Sequence, residues 1–355
     1  MMRGSILAVF ALMACGTEPT TVDDFMPWAL DDLEDAQGFS FRVPEFEVAP
    51  GRESQNCYFV RVPDINNGGP IHVDRVLSAI NPGSHHMNVF RVKTVTGLVP
   101  EMGEPTKLGK YDATVVYGED YFQTNPCWNS GNWADWPLVA NSQKSDTPYT
   151  DWVLPETVAI KLEPNEMLMV QTHYVNRSDQ PTLYGGKVGI NFYKTLEAAP
   201  QELGTMFATQ QEIRICRSTP AVTFSGNCPL NEPVTVIAAN GHFHKRGRQF
   251  DVSTWDGATI THPPAEAQFY SSTSWSHPEM ALDLDVKTPA GGGIWWDCAY
   301  QWSEPTDITC EEVDAKDPLQ QGDCCYTFGG NTDVGEHCNL FLYYYPKLSS
   351  DQFCN

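Results

Sequence analysis

The sequence is cut into many short apolar runs, and nearly every cut carries Gly, Pro or Asn. CYFVRV, HMNVFRV, EMLMVQTHYVN and KVGINFY come first, separated by Asn-Asn-Gly-Gly, Asn-Pro-Gly and Glu-Pro-Asn. A second series follows: TVIAANGHFH, QFDVSTW, AQFYSSTSW, IWWDCAYQW and NLFLYYY. β-Branched and aromatic residues favour pleated, half-buried surfaces. No amphipathic helix of about ten residues or more is legible. Such punctuation predicts an all-β chain built as antiparallel β-sandwiches or jelly rolls. Its 355 residues suffice for one large or two medium domains. The segment 196–203 (LEAAPQEL) is the best boundary, dividing 41–198 from 199–355.

Charge narrows the partners. Lys and Arg number 22 against 45 Asp and Glu, a formal charge of −23. This excludes nucleic acid and electrostatic docking to anionic lipid, both of which need basic patches. The N-terminus reads as a targeting segment: Met1-Met2-Arg3, then an apolar stretch over 6–14 too short to span a bilayer. Leu12-Met13-Ala14-Cys15 resembles a bacterial lipobox, so residues 1–15 are expected to be a lipoprotein signal with Cys15 lipidated; an ordinary signal peptide is the alternative. Gly16 is not the Asp that retains such proteins at the inner membrane, which predicts an outer-membrane destination in a Gram-negative cell, facing periplasm or exterior. The lipid would be the only membrane anchor, and a monomer is expected. Residues 16–40 are acidic and read as a tether. Setting Cys15 aside leaves ten cysteines, an even number that in an exported chain predicts five disulfides. Spacing does not give their connectivity.

Six of the nine histidines fall into two sets. His85 and His86 (SHHMNVF) go with His173 (VQTHYVN); His242 and His244 (NGHFHKRG) go with His337 (GEHCNLFLYYY). Imidazole suits copper, zinc, iron and nickel. On a strand His242 and His244 share a face while Phe243 points away. Adjacent His85 and His86 would face opposite sides, so they converge only at a bulge or bend, which Asn81-Pro82-Gly83 makes plausible. Alone, His173 and His337 read by default as hydrogen-bonded core residues. His72, His262 and His277 show no such spacing and read as structural or surface residues.

Taken together and in order, HHM, VQTHY, HFH and EHCNLFLYYY resemble the copper type II ascorbate-dependent monooxygenases, which include peptidylglycine α-hydroxylating and dopamine β-monooxygenases. LGTMFAT, the Ser-His-Pro at His277 and the Cys-Ala-Tyr at Cys298 also match. The resemblance implies two jelly-roll-like β-sandwich domains, each holding one copper, facing each other across a solvent-filled cleft. It implies that His85, His86 and His173 hold an electron-transfer copper. Gln171, two residues before His173, is placed to support that site through its amide. His242 and His244, with a third ligand, would hold the oxygen-activating copper. The family's disulfide beside the second site maps onto Cys298 and Cys338. Cys57 and Cys127, the only cysteines of the first half, most simply pair with each other.

Three positions depart from the family. His337 stands where it has a methionine ligand; Asn240 replaces an arginine and Phe341 a tyrosine that hold the carboxylate of peptide substrates. Without those partners a carboxylate loses its charge-assisted hydrogen bonds, so a peptidylglycine substrate is not expected. Thioether favours Cu(I), and imidazole shifts the balance toward Cu(II) and also accepts zinc. The expectation is a copper monooxygenase that uses two copper ions, dioxygen and ascorbate or another one-electron reductant to hydroxylate a small organic substrate. A non-catalytic periplasmic copper-binding lipoprotein is the second reading, and zinc hydrolysis at the second site a third.

Overall fold

The computed structural model describes residues 30–43, 46–80, 84–93, 115–117, 136–143, 149–176, 182–185, 189–197, 200–258, 261–276, 278–306, 308–319, 322–350 and 352–354. The signal segment with Cys15 and most of the tether lie outside them. Among the described residues the elements are nearly all strands, with one five-residue α-helix, Cys310–Asp314. None of the described helices is long and apolar enough to cross a membrane.

Among the described residues two large sheets make the first half, beside a two-stranded pair of Phe46–Val48 with Leu183–Gly185. One runs Gly38–Arg42, Gly189–Lys194, Ile71–Ala79, Val158–Leu162 and Gln201–Glu202, with Tyr149–Val153 also paired to Ile71–Ala79. The other runs Val115–Tyr117, Glu53–Arg61, Met167–Val175, Ser84–Arg91 and Leu138–Gln143, antiparallel throughout. The first strand starts at Gly38, inside the segment read as tether. Residues before it are tied down: the Arg42 guanidinium donates to the Leu30 and Asp31 carbonyls, at 3.1 and 2.9 Å. Gln201–Glu202 still belongs to a first-half sheet.

The second half has a sheet ordered Met280–Ala281, Thr235–His242, Asn339–Tyr345, Gly204–Thr209 and Gln352–Cys354, with Val286–Lys287 also paired to Thr235–His242. Behind it lies Ala221–Pro229, Gly293–Gln301, Gly247–Trp255 and Gln268–Ser272. Four disulfides staple this half: Cys216–Cys325, Cys228–Cys354, Cys298–Cys338 and Cys310–Cys324. The Cys298–Cys338 pair is the one the resemblance implies. Cys57 is also disulfide-bonded, but Cys127 lies outside the described residues, and the Cys57–Cys127 pairing with it.

The sheet containing Asn339–Tyr345 is buried on both faces. Leu340, Leu342 and Tyr344 point into the second-half core, whereas Phe341 and Tyr343 join the core of the first half. Met206 and Ala208 divide from Phe207 in the same way. Side chains alternate across a strand, so a strand walled by two cores is apolar at every position. That is why NLFLYYY lacks the alternation of a half-exposed strand. A solvent-filled cleft, as the resemblance implies, is not what the halves form here. Leaving those outward apolar faces in water would cost about 25 cal/mol per Å². Polar contacts cross the same boundary. Thr205 Oγ1 donates to the Leu138 carbonyl (2.8 Å), Asn141 Nδ2 to Asn240 Oδ1 (3.1 Å), and the Tyr343 hydroxyl to Asn141 Oδ1 (2.5 Å).

Candidate metal centre

Register explains how adjacent histidines converge. His86 sits directly opposite His173, but the next pair is Tyr174 with Ser84, so His85 is an extra residue in its strand. This bulge turns both imidazoles to one side. Ring centroids lie 5.3 Å apart for His85–His86, 5.2 Å for His85–His173 and 5.1 Å for His86–His173. Residues 81–83, which the sequence singles out as the source of the break, lie outside the described residues. Beside His86 the Gln171 side chain is a hydrogen-bond partner, and its Oε1 accepts from Asn88 Nδ2 at 3.2 Å.

His242 ends its strand, opposite Asn339, and His244 begins the turn closed by the Gly247 N–H on the His244 carbonyl (2.9 Å). Phe243 points away into the second-half core, as the alternation predicts. Gly247 makes room for it, since a Cβ there would lie 2.0 Å from the Phe243 ring. The His244 ring nitrogen Nδ1 lies 3.2 Å from the Gly335 carbonyl. A carbonyl only accepts, so Nδ1 carries the proton and Nε2 is left with its lone pair. His337 follows the short strand Gly335–Glu336. The Tyr300 hydroxyl donates to the His337 carbonyl, and the Cys298–Cys338 disulfide anchors its neighbour.

A buried carboxylate joins these segments. Glu336 Oε2 accepts the His244 N–H (2.9 Å) and Oε1 the Arg246 N–H (2.8 Å). The Arg246 guanidinium stands 3.5 Å from the same carboxylate and donates to the Thr332 and Asp333 carbonyls. It also covers the Tyr326 ring at 3.6 Å. Burial pushes the Glu336 carboxyl up to about 7, against the pull of Arg246 and the two N–H groups. The sequence carried no sign of this brace, because a Lys-Arg pair after HFH reads as surface.

The two histidine sets meet. His242 lies 4.8 Å from His85 and 5.1 Å from His86, ring centroid to centroid. Ligand-capable atoms of His85, His86 and His173 lie within 4.8 Å of one another, and so do those of His85, His242 and His244. His337 packs on His244 at 4.3 Å and lies 5.4 Å from His242, yet in this arrangement it is His85 that completes the second triad. All of His85, His86, His173, His242 and His244 are buried. Nitrogens without a hydrogen-bond partner include His85 Nε2, His86 Nδ1, both nitrogens of His242 and His244 Nε2. Buried polar atoms are ordinarily satisfied, so such orphaned nitrogens fit a bound transition metal. Desolvation, reinforced by the neighbouring imidazoles, holds His85, His86, His242 and His244 well below the usual histidine range. They are therefore neutral, the form that coordinates.

A cavity of about 30 Å³ runs among His86, His173, His242 and His337, with Asn88, Gln171, Phe90 and Phe341 in its wall. That holds an ion or a water or two, not an organic molecule. Asn240 is fully buried and donates to the Glu279 carbonyl (2.9 Å), while Phe341 stacks on Phe207 at 5.2 Å. Neither can anchor a carboxylate. Of the remaining histidines, His262 pairs with Asp297 at 2.8 Å on a largely exposed side chain, His72 lies on a strand away from the cluster, and His277 is outside the described residues.

No protein-family profile matches the chain. It is 25% identical over 198 residues to the tyramine beta-hydroxylase of Caenorhabditis briggsae, an alignment covering 51% of this chain and 29% of that protein. The chain therefore spans under a third of that relative's length. Among solved structures, a tandem CBM22 domain from Paenibacillus barcinonensis Xyn10C aligns over 86% of this chain and 83% of its own, at 12% identity and a TM-score of 0.19. The VP54 protein of PBCV-1 aligns over 86% and 92%, at 9% identity and a TM-score of 0.21. The half-chain similarity to a hydroxylase suggests a distant, copper type II monooxygenase-like relationship.

Proposed function

We propose that the protein is a copper-dependent monooxygenase that inserts one atom of dioxygen into a C–H bond of a small organic substrate. The other oxygen atom leaves as water, with two electrons from ascorbate or another one-electron reductant and two protons. The observation that carries this reading is the buried cluster of neutral histidines with unpartnered nitrogens, in a chain distantly similar to a hydroxylase. His85, His86 and His173 would hold an electron-transfer copper; His242, His244 and His337 would hold the copper at which substrate reacts. Bound copper supplies the electron transfer and oxygen activation. The chain's own part is positional. The bulge at His85 aims two rings at one point, Gln171 orients His86, and the Gly335 carbonyl fixes the His244 tautomer. Because the cavity is too small for an organic substrate, the halves must part to admit one. The absence of a carboxylate anchor at Asn240 and Phe341 favours a neutral or aromatic substrate. Export and attachment through a lipidated Cys15 complete the proposal.

A non-catalytic copper carrier is the second reading, favoured by the small cavity. Copper- and ascorbate-dependent oxygen uptake, measured across small neutral and aromatic compounds, separates the two. Uptake well above that of equal free copper, with hydroxylated product by mass spectrometry, is expected. Uptake that never exceeds free copper points to the carrier, and zinc retained through purification points to hydrolysis.

A further inference from the structure

The two ligand sets are not separate, because His85 belongs to both. Its ring lies 5.2 Å from His173 on one side and 4.8 Å from His242 on the other, and its Nε2 has no hydrogen-bond partner. Ligand-capable atoms of His85, His242 and His244 gather within 4.8 Å, a spread one transition-metal ion can draw together. His85 comes from the first half, His242 and His244 from the second.

We propose that His85, His242 and His244 form a metal site spanning the two halves, so that a metal bound there clamps them together. The proposal rests on the metal reading of the cluster but not on turnover. Geometry supports it at both ends. The bulge frees the His85 ring from the regular face of its strand, and His244 presents Nε2 because Nδ1 is engaged by Gly335. The surrounding boundary is closed by packed apolar side chains and by the Asn141–Asn240 hydrogen bond, which hold the two sources of ligand at this separation. A ligand that prefers the closed arrangement stabilises it in proportion to its differential affinity.

Copper affinity, measured on the whole chain with a chromophoric competitor, tests this. The double variant His86→Ala/His173→Ala disables the first set but keeps His85, His242, His244 and His337, and should still bind one copper. Adding His85→Ala should weaken that copper by about tenfold or more, as loss of a ligand or its support does. The Cu(II) paramagnetic resonance spectrum should lose one nitrogen coupling as well. Unchanged affinity and an unchanged spectrum in the triple variant would overturn the proposal, leaving His85 to the first set alone. A double variant that binds no copper overturns it too, and takes the metal reading of the second half with it. Thermal unfolding of the metal-free double and triple variants checks folding, with His85→Asn as the second substitution. Absence of turnover leaves these readouts untouched, so the catalytic reading can fail independently.

Discussion

The resemblance read from the sequence would put His337 where the copper monooxygenases carry a methionine, and the segment that carries it is anchored beside its side chain. Its carbonyl is held by Tyr300, the next residue by a disulfide, and its ring packs on His244. His337→Met should therefore leave the backbone in place and bring a sulfur to the second-half copper, favouring Cu(I). X-ray absorption of the reduced, copper-loaded protein should show a copper–sulfur shell in the variant and none in the unmodified chain. A sulfur shell in the unmodified protein would remove His337 as third ligand and point to a methionine such as Met206 or Met280. Glu336 yields a second expectation. It is completely buried and serves the backbone N–H groups of His244 and Arg246 together with the Arg246 side chain. Above pH 7, where the Glu336 carboxyl is ionised, Glu336→Gln leaves a buried guanidinium without its counter-charge, which typically costs about 3–5 kcal/mol. Urea unfolding of the metal-free variant should report a loss near the lower end, because the Thr332 and Asp333 carbonyls still accept from Arg246. A change under about 0.5 kcal/mol would rank the brace with ordinary surface contacts.

At the scale of elements, the sheet shared between the halves decides most of the architecture. Asn339–Tyr345 feeds both cores, so its polar contacts lie in a dry boundary where each unmade hydrogen bond is costly. Tyr343→Phe removes the hydroxyl that donates to Asn141 while Asn141 keeps its bond to Asn240. The expected loss is about 0.5–1.5 kcal/mol, read as a shift in the urea midpoint with unchanged slope; a gain in stability would contradict it. Some of this was legible from residues and some was not. The bulge at the His85-His86 pair follows from period-two geometry, because adjacent residues on a regular strand cannot converge. The outward turn of Phe243 follows from the same rule. The double-sided burial of NLFLYYY was present in its lack of alternation, but a strand's second covering layer is a tertiary fact and leaves no local mark. Meeting of the two histidine sets was illegible for that reason: spacing within one strand fixes which rings share a face, not which face meets it. Arg246 shows the limit most plainly, since only the fold reveals that its charge is buried against Glu336.

Across the whole molecule, the histidine cluster makes stability depend on pH in a definite direction. His85, His86, His242 and His244 are held well below the ordinary value of 6.5 by burial first and by one another second. In the unfolded chain they take up protons near 6.5; in the folded, metal-free chain they resist doing so. Between those values the unfolded state binds more protons at these four rings, so their contribution to stability is fully present above about 6.5 and falls as pH drops below it. Glu336, raised to about 7 in the folded chain, opposes this with a single proton, and four rings outweigh one carboxyl. Each histidine that must stay neutral adds about 1.4 kcal/mol of lost stability per pH unit over that interval. Because these four rings lie where the halves meet, protonation also sets like charges 5 to 6 Å apart across the boundary, as in the His85–His242 and His85–His244 contacts of 4.8 and 5.9 Å. The metal-free protein should accordingly show a melting temperature that falls steeply from pH 7 to pH 5. Copper should blunt the fall at first, since bound imidazole cannot be protonated, until metal is released. Calorimetry with and without copper at matched ionic strength checks this. A metal-free melting temperature flat across that interval would mean that these four rings are already solvated and apart, and that the closed arrangement is not the one the free protein holds in solution.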